Sequence, residues 1–196
     1  MLRGAQPLFA AAPARGWRDE RPPRDTGLLH GGRRIRRKPH PDEMLRRIVS
    51  GGQTGADRAA LDVALERGLP IGGWVPKGRL AEDGSIPDRY TGLREAESPE
   101  PAVRTVRNVR DSDATLIVSH GPLSGGSLLT FQEAIHLGRP VLHLDLAALA
   151  HAEAVAKLQE WLHAVDPATL NVAGPRASND PAIGERVAVL LRAALA

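Results

Sequence analysis

From residue 47 onward, short apolar runs alternate with stretches whose apolar positions recur every three or four residues. Arg47-Ile48-Val49-Ser50 predicts a strand, and Thr54–Arg67 a helix that Gly68 stops. Pro70–Val75 predicts a second strand. The polar segment Pro76–Glu100 is rich in Gly, Pro and charge and reads as a loop. Connections of that length in compact domains are usually functional or disordered. Ala102–Arg110 predicts a short basic helix. Ala114–Ser119 (ATLIVS) is a near-continuous apolar strand of the kind that parallel sheets bury on both faces. A glycine-rich turn over Gly121–Gly126 leads into a helix over Ser127–Leu137, ended by Gly138. Pro140–Leu146 predicts a fourth strand, Ala147–Val165 a long helix, Thr169–Ala173 a fifth strand and Pro181–Ala194 a closing helix.

Strands alternating with helices imply right-handed crossovers and a parallel sheet. The expected fold is α/β: a Rossmann-like, doubly wound, mostly parallel five-stranded sheet with helices on both faces. Ligands of such sheets bind beyond the carboxyl ends of the strands, where strand order reverses. Gly51-Gly52, Gly121 with Gly125-Gly126, and Gly174-Pro175 each follow a predicted strand, so all three turns are expected on one rim.

Composition narrows the chemistry. The chain of 196 residues is 42% apolar but only 3% aromatic, so its core must be aliphatic. It has no cysteine, which excludes disulfides, thiolate metal sites and cysteine nucleophiles. No apolar run approaches the ~18 residues of a membrane span. The net charge of +3 is unevenly distributed. Residues 1–43 hold ten Lys and Arg against five Asp and Glu, and the remainder holds sixteen against eighteen. The globular part is thus slightly acidic, and a nucleic-acid role read from the whole-chain charge would rest on the leader.

That leader carries six of the sixteen prolines and the cluster Arg33-Arg34-Ile35-Arg36-Arg37-Lys38. It has no sustained apolar periodicity and is expected to be disordered. It reads as a basic arm, a transit-type segment or translated upstream sequence. The last reading is preferred, with the true start at Met44 just ahead of the first strand. The domain expectation is therefore a leader over 1–43 and one ligand-binding domain over 44–196.

The candidate chemistry lies on the rim. In RIVSGGQTGADRAALD (residues 47–62), Gly51 and Gly52 permit a sharp turn and close approach of a ligand. Thr54 can N-cap the following helix, with Asp57 at the capping-box distance. Two readings stand: an anion cradle of exposed amides at a helix N-terminus, or a plain capped turn. GPLSGGSLLTFQE (residues 121–133) offers a second small-residue loop, Ser124, Gly125, Gly126 and Ser127, with Thr130 and Glu133 three apart on its helix. The long segment supplies Trp74, Lys77, Arg79, Glu82, Asp83 and Arg94. Arg104, Arg107 and Arg110 form a positive stripe at helical spacing, and Asn108 and Asp111 precede the buried strand. LNVAGPRASNDP (residues 170–181) puts Asn171 on a strand and Arg176 in the loop after Gly174-Pro175. The seven histidines show no metal-ligand spacing.

The blocks IVSGGQTGADRAALD, GGWVPKGRLAEDGSIP, RTVRNVRDSDATLIVSHGPLSGGSLLT and LNVAGPRASNDPAIGE together resemble the molybdenum carrier proteins. These form the circularly permuted YpsA-like branch of the SLOG superfamily, which also contains the LOG phosphoribohydrolases. The resemblance covers about residues 45–196 and keeps the family's block order. It implies a Rossmann-like fold and a cleft for a nucleotide-like or pterin-phosphate ligand, with molybdenum cofactor (molybdopterin) as cargo handed to molybdoenzymes. It implies a cytoplasmic homo-oligomer that binds a small phosphate-bearing molecule, without membrane association and without a metal ligated by the protein. The residues it carries over are Gly51, Gly52, Thr54, Gly55, Asp57, Arg58, Lys77, Glu82, Asp83, Asn108, Asp111, Gly121, Ser124, Gly125, Gly126, Ser127, Thr130, Asn171, Gly174 and Arg176. Arg107 is added as a source of positive charge. The hydrolase relatives carry Pro-Gly-Gly-x-Gly-Thr-x-x-Glu, in which the Glu assists cleavage of an N-glycosidic bond. Here Thr130 and Glu133 keep their mutual spacing, but each stands one residue further from the glycine pair, and the third glycine is missing. One residue turns a helix by ~100°, which weighs against Glu133 as a catalytic group. Hydrolysis of nucleoside monophosphates and non-catalytic nucleotide sensing are the alternatives.

Overall fold

A computed structural model describes residues 45–196; the leader lies outside the described residues. The elements in chain order are β1 (Arg47–Val49), α1 (Ala56–Glu66), β2 (Ile71–Val75), β3 (Leu80–Ala81), β4 (Gly84–Ser85), β5 (Leu93–Glu95), α2 (Pro101–Arg110), β6 (Ala114–Ser119), α3 (Gly125–His136), β7 (Val141–Asp145), α4 (His151–Val165), β8 (Thr169–Ala173) and α5 (Ile183–Ala194). Each predicted strand and helix is present, with ends shifted by at most four residues. The strand count differs. The main sheet has six strands in the order β5-β2-β1-β8-β6-β7, and every pairing in it is parallel. The sixth strand, β5, lies inside the segment read as a loop, which also holds the small antiparallel hairpin β3–β4.

Helices cover both faces. α1 and α4 both pack on α5, while α2 packs on α3. This division follows from the direction of the crossovers. Right-handed connections from β1 to β2 and from β7 to β8 run one way along the sheet, and those from β5 to β6 and from β6 to β7 run the other. The core is aliphatic, as composition requires. Ile48, Leu116, Val118, Leu170 and Val172 from the sheet meet Leu61, Val63, Leu158, Val187, Leu190 and Leu191 from the helices. β6 is buried at all six positions, which accounts for its unbroken apolar run.

Gly68 and Gly138 end their helices as expected. Leu69 N donates to Ala64 O (2.9 Å) and Gly68 N to Leu65 O (3.1 Å), and Arg139 N and Gly138 N repeat the pattern on Ala134 and Ile135. These paired bonds satisfy carbonyls that the helix itself leaves open.

Strand order reverses around β1, β8 and β6. Since these strands are parallel, the turns that follow them share one edge of the sheet. They also touch. Ala56 N donates to Pro175 O (3.2 Å), joining the turns after β1 and β8. A Cβ on Gly174 would stand 2.5 Å from Val118 O and 2.6 Å from Ala56 Cβ, so the chain passes there only without a side chain. His120 Nδ1 lies 2.7 Å from Asp180 Oδ2, joining the end of β6 to the loop before α5.

Candidate functional site

A cavity of about 250 Å³ opens at this edge. It is lined by Gly51 and Gln53 of the first turn, by Pro76, Pro99 and Pro101, and by Leu80, Ala81 and Glu82 of the hairpin. Arg104 and Arg176 bring positive charge to it from the start of α2 and from the loop after β8.

The glycine turn after β1 is already occupied by a carboxylate of the chain. Thr54 does not cap α1, which begins at Ala56 with Gly55 at its N-cap and no side-chain capping bond. Asp57 turns back instead. Gln53 N donates to its Oδ2 (3.3 Å), and the Ser50 hydroxyl and the Gly51 amide also face it. Arg104 Nη1 stands 3.4 Å from the same oxygen. Asp57 is buried, and burial pushes its carboxyl up from the ordinary value, with Arg104 and the amides pulling the other way. The expected capping box is thus replaced by a buried pair between residues 47 positions apart. The physical reason is tertiary. The Thr54 hydroxyl is drawn away to donate to Glu82 and to accept from Ala177 N (3.0 Å).

Glu82 joins the turn after β1 to the loop after β8. It accepts from the Thr54 hydroxyl, from the Ser178 hydroxyl and from Ser178 N (3.1 Å), and Arg176 Nε is 3.8 Å away. Those hydroxyls, Ser178 first, and then the charge of Arg176 hold its carboxyl below the ordinary value. Gln53 Oε1 accepts from Glu82 N and Thr54 N (both 3.0 Å). Next to it, Arg58 grips Asp83 with both terminal nitrogens, one at 2.7 Å, and gives Nε to Gly52 O (3.2 Å). Thr54, Glu82, Asp83 and Arg176 are rim candidates from the residues themselves and Arg58 from the resemblance, and the structure brings the five together.

Other candidates lie elsewhere. Lys77 is exposed and does not line the cavity. Arg107 pairs with Glu97, its guanidinium 4.5 Å from the centre of the Trp74 ring. Asn108 fastens α2 to β2, accepting from Trp74 N (2.7 Å) and donating to Trp74 O (3.0 Å), and Asp111 accepts from Trp74 Nε1 (2.8 Å). Asn171 is buried within β8 and gives its amide to Thr115 Oγ1 (3.3 Å).

The second glycine turn stands along the rim, outside the cavity lining. Gly121 N donates to Asp145 Oδ1 (2.7 Å), as does Ala147 N (2.9 Å). These amides hold the Asp145 carboxyl below its ordinary value. Ser124 precedes α3 without a side-chain capping bond, and Gly125 and Gly126 begin the helix itself. Ser127 is buried, and the buried Thr130 hydroxyl turns back to Gly126 O (2.8 Å). Glu133 is half-buried and absent from the cavity wall.

Arg104 is the residue the candidate set lacked. The positive stripe on α2 signalled it, but spacing alone does not say which of its arginines turns to the rim. Among the described residues, no group of three His, Cys, Asp or Glu side chains could hold a metal ion. No helix among them is long and apolar enough to cross a membrane.

Residues 48–195 match the model of the circularly permutated YpsA SLOG family. No curated protein matches. A crystal structure of a "Putative molybdenum carrier protein" from Syntrophus aciditrophicus SB superposes with a TM-score of 0.76 at 48% sequence identity, covering 78% of this chain and 96% of that one. The six-stranded parallel sheet, its reversal of strand order and this match agree: the chain belongs to the circularly permuted YpsA SLOG family.

Proposed function

We propose that this protein is a molybdenum carrier that binds molybdenum cofactor, or a related phosphate-bearing nucleotide-like molecule, in the cavity at the carboxyl edge of its sheet. One observation carries the reading. At the reversal of strand order, where doubly wound sheets hold ligands, Arg104 and Arg176 line a cavity of about 250 Å³ together with three prolines. Two guanidinium groups suit an oxyanion, because each offers a fork of donors that matches phosphate geometry. The name of the 48% identical relative supports molybdenum cargo. In this reading the protein holds its cargo away from water and hands it on to a molybdoenzyme.

Glu133 bears on the hydrolase alternative. It lies outside the wall of the cavity, so a ligand seated between Arg104 and Arg176 does not meet it there. The test is to titrate purified protein with molybdopterin and, separately, to incubate it with nucleoside monophosphates. Saturable molybdopterin binding without release of free base is expected. Steady base release that Glu133→Ala abolishes would replace the carrier reading with a hydrolase.

A further inference from the structure

The arginines near the cavity differ in how their donors are spent. Arg58 commits its fork to Asp83 and its Nε to a carbonyl. Arg107 is held by Glu97 and lies over Trp74. Arg176 is half exposed, with Glu82 at 3.8 Å. Arg104 is different. Its side chain is only 17% exposed, yet it makes one long contact, the 3.4 Å approach to Asp57. Its Nε is buried and has no hydrogen-bond partner among the described residues, a state it shares only with Nε of Arg79, a residue outside the cavity lining. A guanidinium carries five donors, and burying them unspent is costly unless something else takes them. The chain nevertheless makes room for this group. A Cβ on Gly51 would collide with Cζ and Nη1 of Arg104 and crowd Asp57 Oδ2, so glycine there leaves the space that the guanidinium now occupies.

We infer that Arg104 is the anion receptor of the cavity, that it takes a tetrahedral oxyanion such as a phosphate monoester or molybdate, and that Asp57 competes with this group for the guanidinium. The inference rests on the cavity being the ligand site. It moves the recognition of the anion from the amides of the glycine turn, which face Asp57, to a side chain that the turn admits. Asp57 keeps Arg104 in place while the cavity is empty. An arriving oxyanion offers a shorter, two-toothed partner.

Calorimetric titration of the full chain with sodium molybdate, inorganic phosphate and adenosine 5′-monophosphate tests it, and the three arms separate a bare oxyanion from a phosphate ester. Wild-type protein is expected to bind at least one of them. Arg104→Gln should weaken that binding tenfold or more. Gly51→Ala should do the same while keeping both charges, because its Cβ takes the space where the guanidinium meets Asp57. Asp57→Asn should tighten binding several-fold by removing the competitor, and Arg110→Gln, on the outer stripe, should change nothing. Far-ultraviolet circular dichroism confirms that each variant is folded. Unchanged binding in Arg104→Gln and Gly51→Ala would overturn the inference and leave the carrier reading standing. Loss in Asp57→Asn as well as in Arg104→Gln would mark the pair as structural and also overturn it. Binding of molybdopterin but of none of the three probes would overturn the inference alone. Binding of neither the probes nor molybdopterin would remove both.

Discussion

The two glycine turns of the rim look alike in sequence, SGGQTGAD against GPLSGGS, and differ in what their glycines are for. In the first turn they answer to packing. Gly51 yields space to Arg104, and Gly55, at φ +74°, lies where a Cβ would stand 2.6 Å from Pro175 O. In the second turn, Cβ atoms built on Gly121, Gly125 and Gly126 meet nothing within 4 Å. Each turn also binds a carboxylate of the chain, and here too they part. Asp57 is buried beside Arg104, and its carboxyl is pushed up; Asp145 accepts amides at the surface, and its carboxyl is drawn down. A glycine-rich strand-to-helix junction therefore does not by itself tell a wall of a binding cavity from a turn that closes on its own side chain.

The largest expected break is Gly55→Ala. It combines a left-handed backbone with a clash against main chain, and about 3 kcal/mol of stability should be lost, read from the midpoint of urea unfolding. Loss below ~1 kcal/mol would mean that the turn yields easily and that its contact with the loop after β8 is loose.

Next are the two carboxylates, whose pH dependences should have opposite sign. The folded-state pKa of Asp57 is raised, so stability is lost as pH rises from the unfolded value through the folded one. Asp57→Asn should remove that slope. The folded-state pKa of Asp145 is lowered, so its stabilisation is present above the unfolded value and lost as pH falls through the folded one. Asp145→Asn should lower the melting temperature at neutral pH and flatten the acid limb. Thermal melts from pH 3 to 8 would separate the two, and matching slopes would contradict the contrast drawn from burial.

The smallest effect is expected at Gly126. It sits in the first turn of α3 outside the positive-φ region, with open space around it. Gly126→Ala should stabilise by about 0.4–1 kcal/mol through the unfolded chain. Destabilisation would show that the second turn is packed as tightly as the first.

Much of the fold was legible because it is written locally. ATLIVS is a near-continuous apolar run and reads as a strand buried on both faces, and Gly68 and Gly138 mark helix ends by backbone chemistry alone. The sixth strand was not legible. Of Leu93-Arg94-Glu95 only Leu93 is buried, and the strand exists because β2 presents an edge for it, Gly73 opposite Leu93. The site was legible in part. Glycine turns on one rim follow from strand direction, but the partner of Asp57 is a helix away. Arg104 and Arg107 share a sequence pattern and part company only when Trp74 and Glu97 claim Arg107.

The most direct measurement is an anomalous difference map at the molybdenum edge from crystals soaked in molybdate. A peak in the cavity between Arg104 and Arg176 is predicted. A peak at Ser124–Ser127 with an empty cavity would contradict it and return the anion site to the second glycine turn.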